Sequence, residues 1–303
     1  MIGIPRLVGY SLAVTSFTLL ITSIFATQIQ LAYTQANINN TTNSNNSQNN
    51  ILLITNILAK NLENRIQKAG AILDITSKLP QVRDVPYAHL LNQTLNTLHG
   101  IPQYADIEKR QVVKNILSSN NDLYEIFLLM PNGDMYFLEP YSIQQTLAVN
   151  NFAFRDYFQG AIKTNDTYLG NVHATAAASG VRTAKIAVPV YSLKDNSTIV
   201  GVWAGSIDFG ILNKELQSLN LTSLDDSTRV VYVDSNGQKI ADSDINKSTT
   251  PESFANLNSF KAAISGQAGS TIDTVNNNTK TLVTYQPVNA FHNTWVVLLM
   301  QPQ

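Results

Sequence analysis

Two Asn-Gly turns, each set between a strand-like run and its return, constrain this chain more than any other feature. The first is Pro131-Asn132-Gly133-Asp134, between an apolar run at 123–130 and a return at 135–138. The second is Ser235-Asn236-Gly237, between runs at 229–234 and 238–241. Asn-Gly between apolar runs is a strong hairpin signal, because the tight turn needs residues that accept a left-handed backbone. The pattern downstream of each turn also repeats. After the first comes a helix at 155–162, strands at 171–177, 183–191 and 198–208, and a closing helix at 211–219. After the second comes a helix at 258–264 and strands at 270–275, 279–288 and 294–300, with Asn276-Asn277-Asn278 as a turn. Ala187-Val188-Pro189-Val190 even has a counterpart in Tyr285-Gln286-Pro287-Val288. The order predicts an α+β fold in which one antiparallel sheet with helices on a face is used twice.

Ahead of the first block, apolar residues at Ile54, Leu58, Leu62, Ile66, Ala69, Ile72, Leu73 and Leu79 fall near a 3.6 period. They predict one long helix over 51–79, stopped by Pro80. Shorter helices are expected at 87–98 and 107–118. Further upstream, residues 7–26 (LVGYSLAVTSFTLLITSIFA) carry no charge, and Arg6 is the only charged side chain before Lys60. About 20 helical residues span roughly 30 Å, the thickness of a bilayer core. A single cation on the N-terminal side puts the bulk of the chain outside. Two readings stand: an uncleaved membrane anchor, or a signal peptide cleaved at the small-x-small site Thr34-Gln35-Ala36. An Asn-rich tract at 37–50 reads as a flexible linker. Asn-x-Ser/Thr acceptors at Asn39, Asn40, Asn45, Asn92, Asn165, Asn196, Asn220, Asn246 and Asn277 are compatible with a glycosylated surface protein.

The chain of 303 residues is 44% hydrophobic and 14% charged, with a net charge of −1. That balance supports a packed core and gives no electrostatic case for nucleic acid. With no cysteine, disulfides and thiolate sites are excluded. His89, His99, His173 and His292 lack metal-ligand spacing, and no nucleophile elbow, phosphate loop or dinucleotide fingerprint is present. No catalytic residue, metal or cofactor is expected. Asp234-Ser235-Asn236-Gly237 lacks the rest of a calcium loop and reads as a hairpin. Asp242 and Asp244 read as a solvated strand end, and Lys185 and Trp203, on neighbouring strands, as structural.

FRDYFQGA at 154–161, IAVPVY at 186–191 and IVGVWAGSIDF at 199–209, in this order after a long helix and an apolar segment, resemble the double Cache sensor family. The resemblance implies two tandem PAS-like modules sharing the long N-terminal helix. The implied boundaries are an anchor or signal at 1–27, a linker at 28–50, the helix at 51–80, a membrane-distal ligand-binding module at 81–222 and a membrane-proximal module at 223–303. It implies a small-molecule ligand, a receptor or kinase partner and no catalysis. In amino-acid-binding members a Tyr-x4-Arg-x-Trp-Tyr pattern, a later Tyr-x-Asp pair and a late Asp line the pocket. Arg155 matches the arginine, Tyr157 and Phe158 fill the aromatic places, and Asp208 matches the late aspartate. Asn150, His173 and Thr175 depart from the first tyrosine, the second tyrosine and the paired aspartate.

The implied ligand site is therefore Arg155, Tyr157, Phe158, His173 and Asp208. A guanidinium suits a carboxylate, and aromatic walls exclude water from the pair. With Thr175 uncharged, the half that would hold an ammonium is weakened, so a small carboxylate is favoured over an amino acid. Each residue also has a plainer role: Arg155 paired to Asp156 or a surface acid, Tyr157 and Phe158 in the core, His173 half-buried and satisfied, Asp208 capping the next helix. The long helix offers a face for a homodimer, though the same stripe is needed to cover the chain's own sheets. Because no second membrane segment or output domain comes after the last strand, a stand-alone sensor is expected. The alternatives are a detached input domain of a chemoreceptor or histidine kinase, and a structural surface glycoprotein.

Overall fold

The computed structural model describes residues 44–176, 181–219, 227–275 and 279–303. The apolar segment at 7–26, the Thr34-Gln35-Ala36 site, residues 28–43 of the linker, the turn at 276–278 and Ala177 lie outside the described residues. Among the described residues, no helix is long and apolar enough to cross a membrane.

Helix α1 (Ser44–Ser77) begins within the Asn-rich tract rather than at residue 51 and ends before Pro80. Two short helices come next, α2 (Leu91–Leu98) and α3 (Ile107–Ser119). The first sheet is built from β1 (Leu123–Leu129), β2 (Met135–Glu139), β3 (Tyr168–Leu169), β6 (Lys185–Tyr191) and β7 (Ile199–Ile207), in the order β2-β1-β7-β6-β3. A short helix α4 (Tyr141–Gln144) and α5 (Asp156–Thr164) lie between β2 and β3. Strands β4 (His173–Ala174) and β5 (Arg182–Thr183) form a separate two-stranded ladder, and α6 (Phe209–Gln217) closes the block. The second sheet has β8 (Arg229–Val233), β9 (Lys239–Asp242), β10 (Gly269–Val275), β11 (Thr279–Ala290) and β12 (Asn293–Pro302), in the order β10-β11-β12-β8-β9, with α7 (Asn258–Ile264) on one face. Both sheets are antiparallel throughout.

The apolar stripe of α1 covers its own sheets. Ile54, Leu58, Leu62, Ile66, Ala69 and Leu73 are buried and join one cluster with Trp203 of the first sheet and Trp295 of the second. Burying one such aliphatic side chain is worth roughly 1.5–3 kcal/mol, so α1 ties the two sheets together strongly. The opposite face of each sheet carries its own apolar cluster, under α5 in the first module and under α7 in the second.

The repeat read from the turns holds at the level of single hydrogen bonds. Gly133 N–H donates to Met130 O, and Gly237 N–H to Asp234 O. Phe152 N–H donates to Gly133 O, and Phe254 N–H to Gly237 O. Both glycines have positive φ, 88° and 78°. A Cβ on either would lie 2.5 Å from the backbone nitrogen of Ala153 or Ala255. Gly237→Val should therefore destabilise the fold by about 2–4 kcal/mol, combining backbone strain with a steric clash. Urea unfolding monitored by circular dichroism measures it; a change under about 0.5 kcal/mol, as at an unconstrained surface position, would show that the turn tolerates a side chain.

The first sheet departs from expectation at its edge. Of the run expected at 171–177, the described residues 171–176 do not join it; Tyr168–Leu169 does, and His173–Ala174 pairs separately with β5. The chain leaves the sheet after Gly170, whose N–H still donates to Lys185 O, and the next residues turn to the second module, where Val172 N–H donates to Asp234 Oδ2. Asp242 is not solvated. It is fully buried, and Arg229 and Lys239 donate to it.

Candidate functional site

Helix α5 positions the residues that matter. Arg155 stands just before it with extended backbone (φ −76°, ψ 140°) and makes no capping bond. Asp156 opens the first turn, where the helix's positive end favours an acid. Its carboxylate accepts from Tyr157 N (2.8 Å) and from Asn171 N (2.7 Å). Tyr157 and Phe158 turn into the cluster with Phe127, Ala187, Val202 and Ala204.

Beneath Tyr157 the sheet carries a row of polar residues. The strand register sets Glu125 opposite Ser206 and Ser206 opposite Lys185. All three are buried. Lys185 Nζ donates to Glu125 Oε1 (3.1 Å) and to Ser206 Oγ, which itself donates to Glu125 Oε1. The same Nζ lies 5.6 Å from the Phe127 ring centroid and 6.0 Å from that of Tyr157. Burial lowers the pKa of Lys185, and Glu125 opposes that shift.

His173 stacks on Tyr157, with centroids 5.8 Å apart and rings inclined by 25°. Its Nδ1 is 3.1 Å from Asn171 O; a carbonyl can only accept, which assigns the proton to Nδ1. Burial, then the charges of Lys185 and Arg155, push the imidazole down from 6.5 to about 3. The unfolded chain takes up this proton near pH 6.5 and the folded chain does so only near pH 3. Its contribution to stability is thus whole above that window and is lost as pH falls through it, by up to about 1.4 kcal/mol per pH unit. His173→Phe should flatten this slope; urea midpoints from about pH 7 to pH 4 with the same slope as the parent would contradict it.

Arg155 Nη2 donates to Ala174 O (3.3 Å), and the guanidinium lies 4.9 Å from the Phe154 ring centroid. Among the described residues no carboxylate pairs with it. Arg155 Nε and Tyr157 Oη are both buried without a hydrogen-bond partner. Burial raises the pKa of Tyr157, so the phenol keeps its proton and is a ready donor.

Four of the five expected residues thus share one place: Arg155, Tyr157, Phe158 and His173. Asp208 is used differently. It is the N-cap of α6, accepting from Gly210 N (2.8 Å) and Ile211 N (3.3 Å), and no bond joins it to the other four. Glu125, Lys185 and Ser206 were not expected. Their signal was a lone Glu, Lys and Ser inside strands otherwise built for burial. Trp203 belongs to the other face of the same sheet, donating to Thr76 Oγ1 from α1.

The second module supplies an internal comparison. Its equivalent row is Arg229, Met300 and Val283, by the same register. Leu257 takes the place of Arg155 and Ser259 that of Tyr157, as the matching bonds Arg155 N–H to Phe152 O and Leu257 N–H to Phe254 O show. Arg229 is answered by Asp242 and Glu252. A cavity of about 220 Å³ lies elsewhere, by the end of α1. Its polar groups are engaged within the chain: Asp74 pairs with Lys78, Asp166 bonds to His292, and Arg83 donates to Tyr191 O and Ser192 O.

A family model described as the Cache domain matches residues 34–303. No curated protein matches the chain by sequence. Solved structures match its fold. The ligand-binding domain of the Pseudomonas aeruginosa PAO1 amino acid chemoreceptor PctC, in complex with GABA, is 16% identical, with a TM-score of 0.55, covering 84% of this chain and 99% of that one. That of the Pseudomonas fluorescens chemoreceptor CtaA, with L-isoleucine, is 14% identical, with a TM-score of 0.58, covering 89% and 97%. The periplasmic sensory domain of the Campylobacter jejuni chemoreceptor Tlp1 is 14% identical, with a TM-score of 0.59, covering 86% and 96%. With the two-module fold in place and the family model spanning most of its length, the chain belongs to the Cache domain family, in its double form.

Proposed function

We propose that this chain is an extracytoplasmic, non-enzymatic sensor whose first module, residues 81–222, binds a small carboxylate or amino acid under α5. In this reading the second module, residues 223–303, relays the bound state to a receptor or kinase partner, and residues 1–27 hold the chain at the membrane. The observation that carries it is the contrast between two copies of one fold. In the second copy the row and helix start read Arg229, Met300, Val283, Leu257, and its cation is neutralised. In the first they read Glu125, Ser206, Lys185, Arg155, with one cation left over; buried side-chain atoms without partners occur in both copies, Arg155 Nε and Tyr157 Oη in the first and Ser259 Oγ in the second. A guanidinium without a carboxylate, beside a buried phenol donor, is a place that a ligand's carboxylate can complete.

A route to the second module supports the relay. Asp156, next to Arg155, holds Asn171 N. Asn171 Oδ1 accepts from Ser235 Oγ (2.6 Å) and Asn293 Nδ2 (3.0 Å). Val172 N–H donates to Asp234, which caps its own hairpin through Asn236 N and Gln238 N. A shift at the start of α5 therefore reaches the β8–β9 hairpin through a short chain of hydrogen bonds.

A thermal-shift screen of the purified chain against organic acids and amino acids tests the proposal. At a ligand concentration of about 100 times Kd the native state gains about 2.7 kcal/mol, a rise of several degrees in Tm. A flat response across the whole panel would leave the structural-glycoprotein reading in its place.

A further inference from the structure

We infer that the site under α5 takes an organic acid without an α-ammonium group, and that Lys185 is the residue that turns amino acids away. This rests on the proposed first-module site and specifies what enters it.

The charges around the site decide the matter. Two carboxylates lie at it, and each is already answered. Glu125 holds Lys185 and Ser206. Asp156 holds two backbone N–H groups at the positive end of α5. Asp208 stands outside the site, held by two backbone N–H groups at the start of α6. Thr175 brings no charge. Among the cations, Lys185 is paired with Glu125 and Arg155 with no carboxylate. The site therefore lacks one negative charge and has no unanswered negative charge of its own.

Hydrogen bonding gives the same result. Arg155 Nε and Tyr157 Oη are buried donors without acceptors. One carboxylate of a ligand satisfies both, since an ionised carboxylate only accepts. The neutral His173, protonated on Nδ1, offers an uncharged acceptor at Nε2, which suits a hydroxyl. An ammonium at this place would find the buried Glu125 carboxylate already taken by Lys185, whose Nζ lies 6.0 Å from the Tyr157 ring centroid. Like charges repel in a site of reduced dielectric, and discrimination often comes from such an unfavourable element, here a cation that already holds the acceptor an ammonium needs.

The test uses matched pairs that share a skeleton: L-lactate against L-alanine, and succinate against L-aspartate, titrated calorimetrically into the full chain. In at least one pair the organic acid should bind about 30-fold or more tighter than its amino acid, the size expected of one unfavourable charge contact. Lys185→Met leaves Glu125 and Ser206 free to accept from an ammonium and should narrow that gap to within about threefold. If the unpaired Glu125 unfolds that variant, Lys185→Met with Glu125→Gln removes both charges and should narrow it as well. An amino acid binding as tightly as its partner acid would overturn the inference while leaving the first-module site standing. A gap that survives either variant would take the role from Lys185. No binding by any of the four would sink the inference together with the site.

Discussion

An Arg155→Ala variant is expected to keep its fold and to lose about 100-fold or more in affinity for whichever carboxylate raises the melting temperature of the parent, because a charge-assisted fork in a partly dry site is worth several kcal/mol. The fold should survive because little depends on this side chain. Arg155 makes no capping bond, and its one backbone partner, Ala174 O, is 3.3 Å away. The second module already builds the same helix start with Leu257 there. Removing the guanidinium leaves Tyr157 Oη as the one remaining buried donor of the two. Arg155→Lys should recover only part of the loss, since an ammonium has no planar fork. Calorimetric titration measures the affinity and circular dichroism the fold. An affinity within about threefold of the parent would remove Arg155 from the site.

Asp242→Ala is expected to cost about 3–5 kcal/mol of stability, the usual consequence of taking one partner from a buried ion cluster. Asp242 is fully buried and accepts from Arg229 Nε and Nη2 and from Lys239 Nζ. Without it, two buried cations share Glu252, whose side chain is 22% exposed. Asp242→Asn keeps the shape and one acceptor, so it should fall between the parent and alanine. Burial alone would raise this carboxyl's pKa, but the bonds from Arg229 and Lys239 outweigh it and hold the pKa below the ordinary 3.8. The cluster's support is therefore complete above about pH 4 and drains away as pH falls below it. Urea unfolding at neutral pH measures the loss. A value under about 1 kcal/mol would mean that the cluster rearranges around Glu252. The variant also tests the proposed relay, since β8 and β9 form the hairpin whose turn, at Asp234 and Ser235, bonds to Val172 and Asn171 of the first module.

The elements that could be read in advance are those written by local chemistry. Asn-Gly turns, the 3.6-residue stripe of α1 and the apolar runs of β1, β6 and β7 all act over a few residues; the strands fall within two residues of their expected bounds, while α1 starts seven residues early. The helix at 258–264 is found at its expected bounds. The edge strand β3 and the short helix α4 were missed. Two extended residues make no periodic pattern, and four helical ones do not complete two turns. Residues 171–177 carry the strand signal, but hydrogen bonds from the second module take this stretch of chain first.

The candidate site divides in the same way. Arg155, Tyr157 and Phe158 lie close together in sequence at one helix start, so their string places them side by side. His173 joins them through the fold, by stacking on Tyr157. Asp208 shows how a short-range competitor wins: two backbone N–H groups lie within reach of its carboxylate at the start of α6. Sequence by itself determined the two-module plan and the residues at the start of α5, because turn chemistry and hydrophobic period are local. Only the tertiary structure decided that Glu125, Ser206 and Lys185 form one buried row beneath them. Strand register joins residues as many as 81 positions apart, and nothing local encodes which charge will face which.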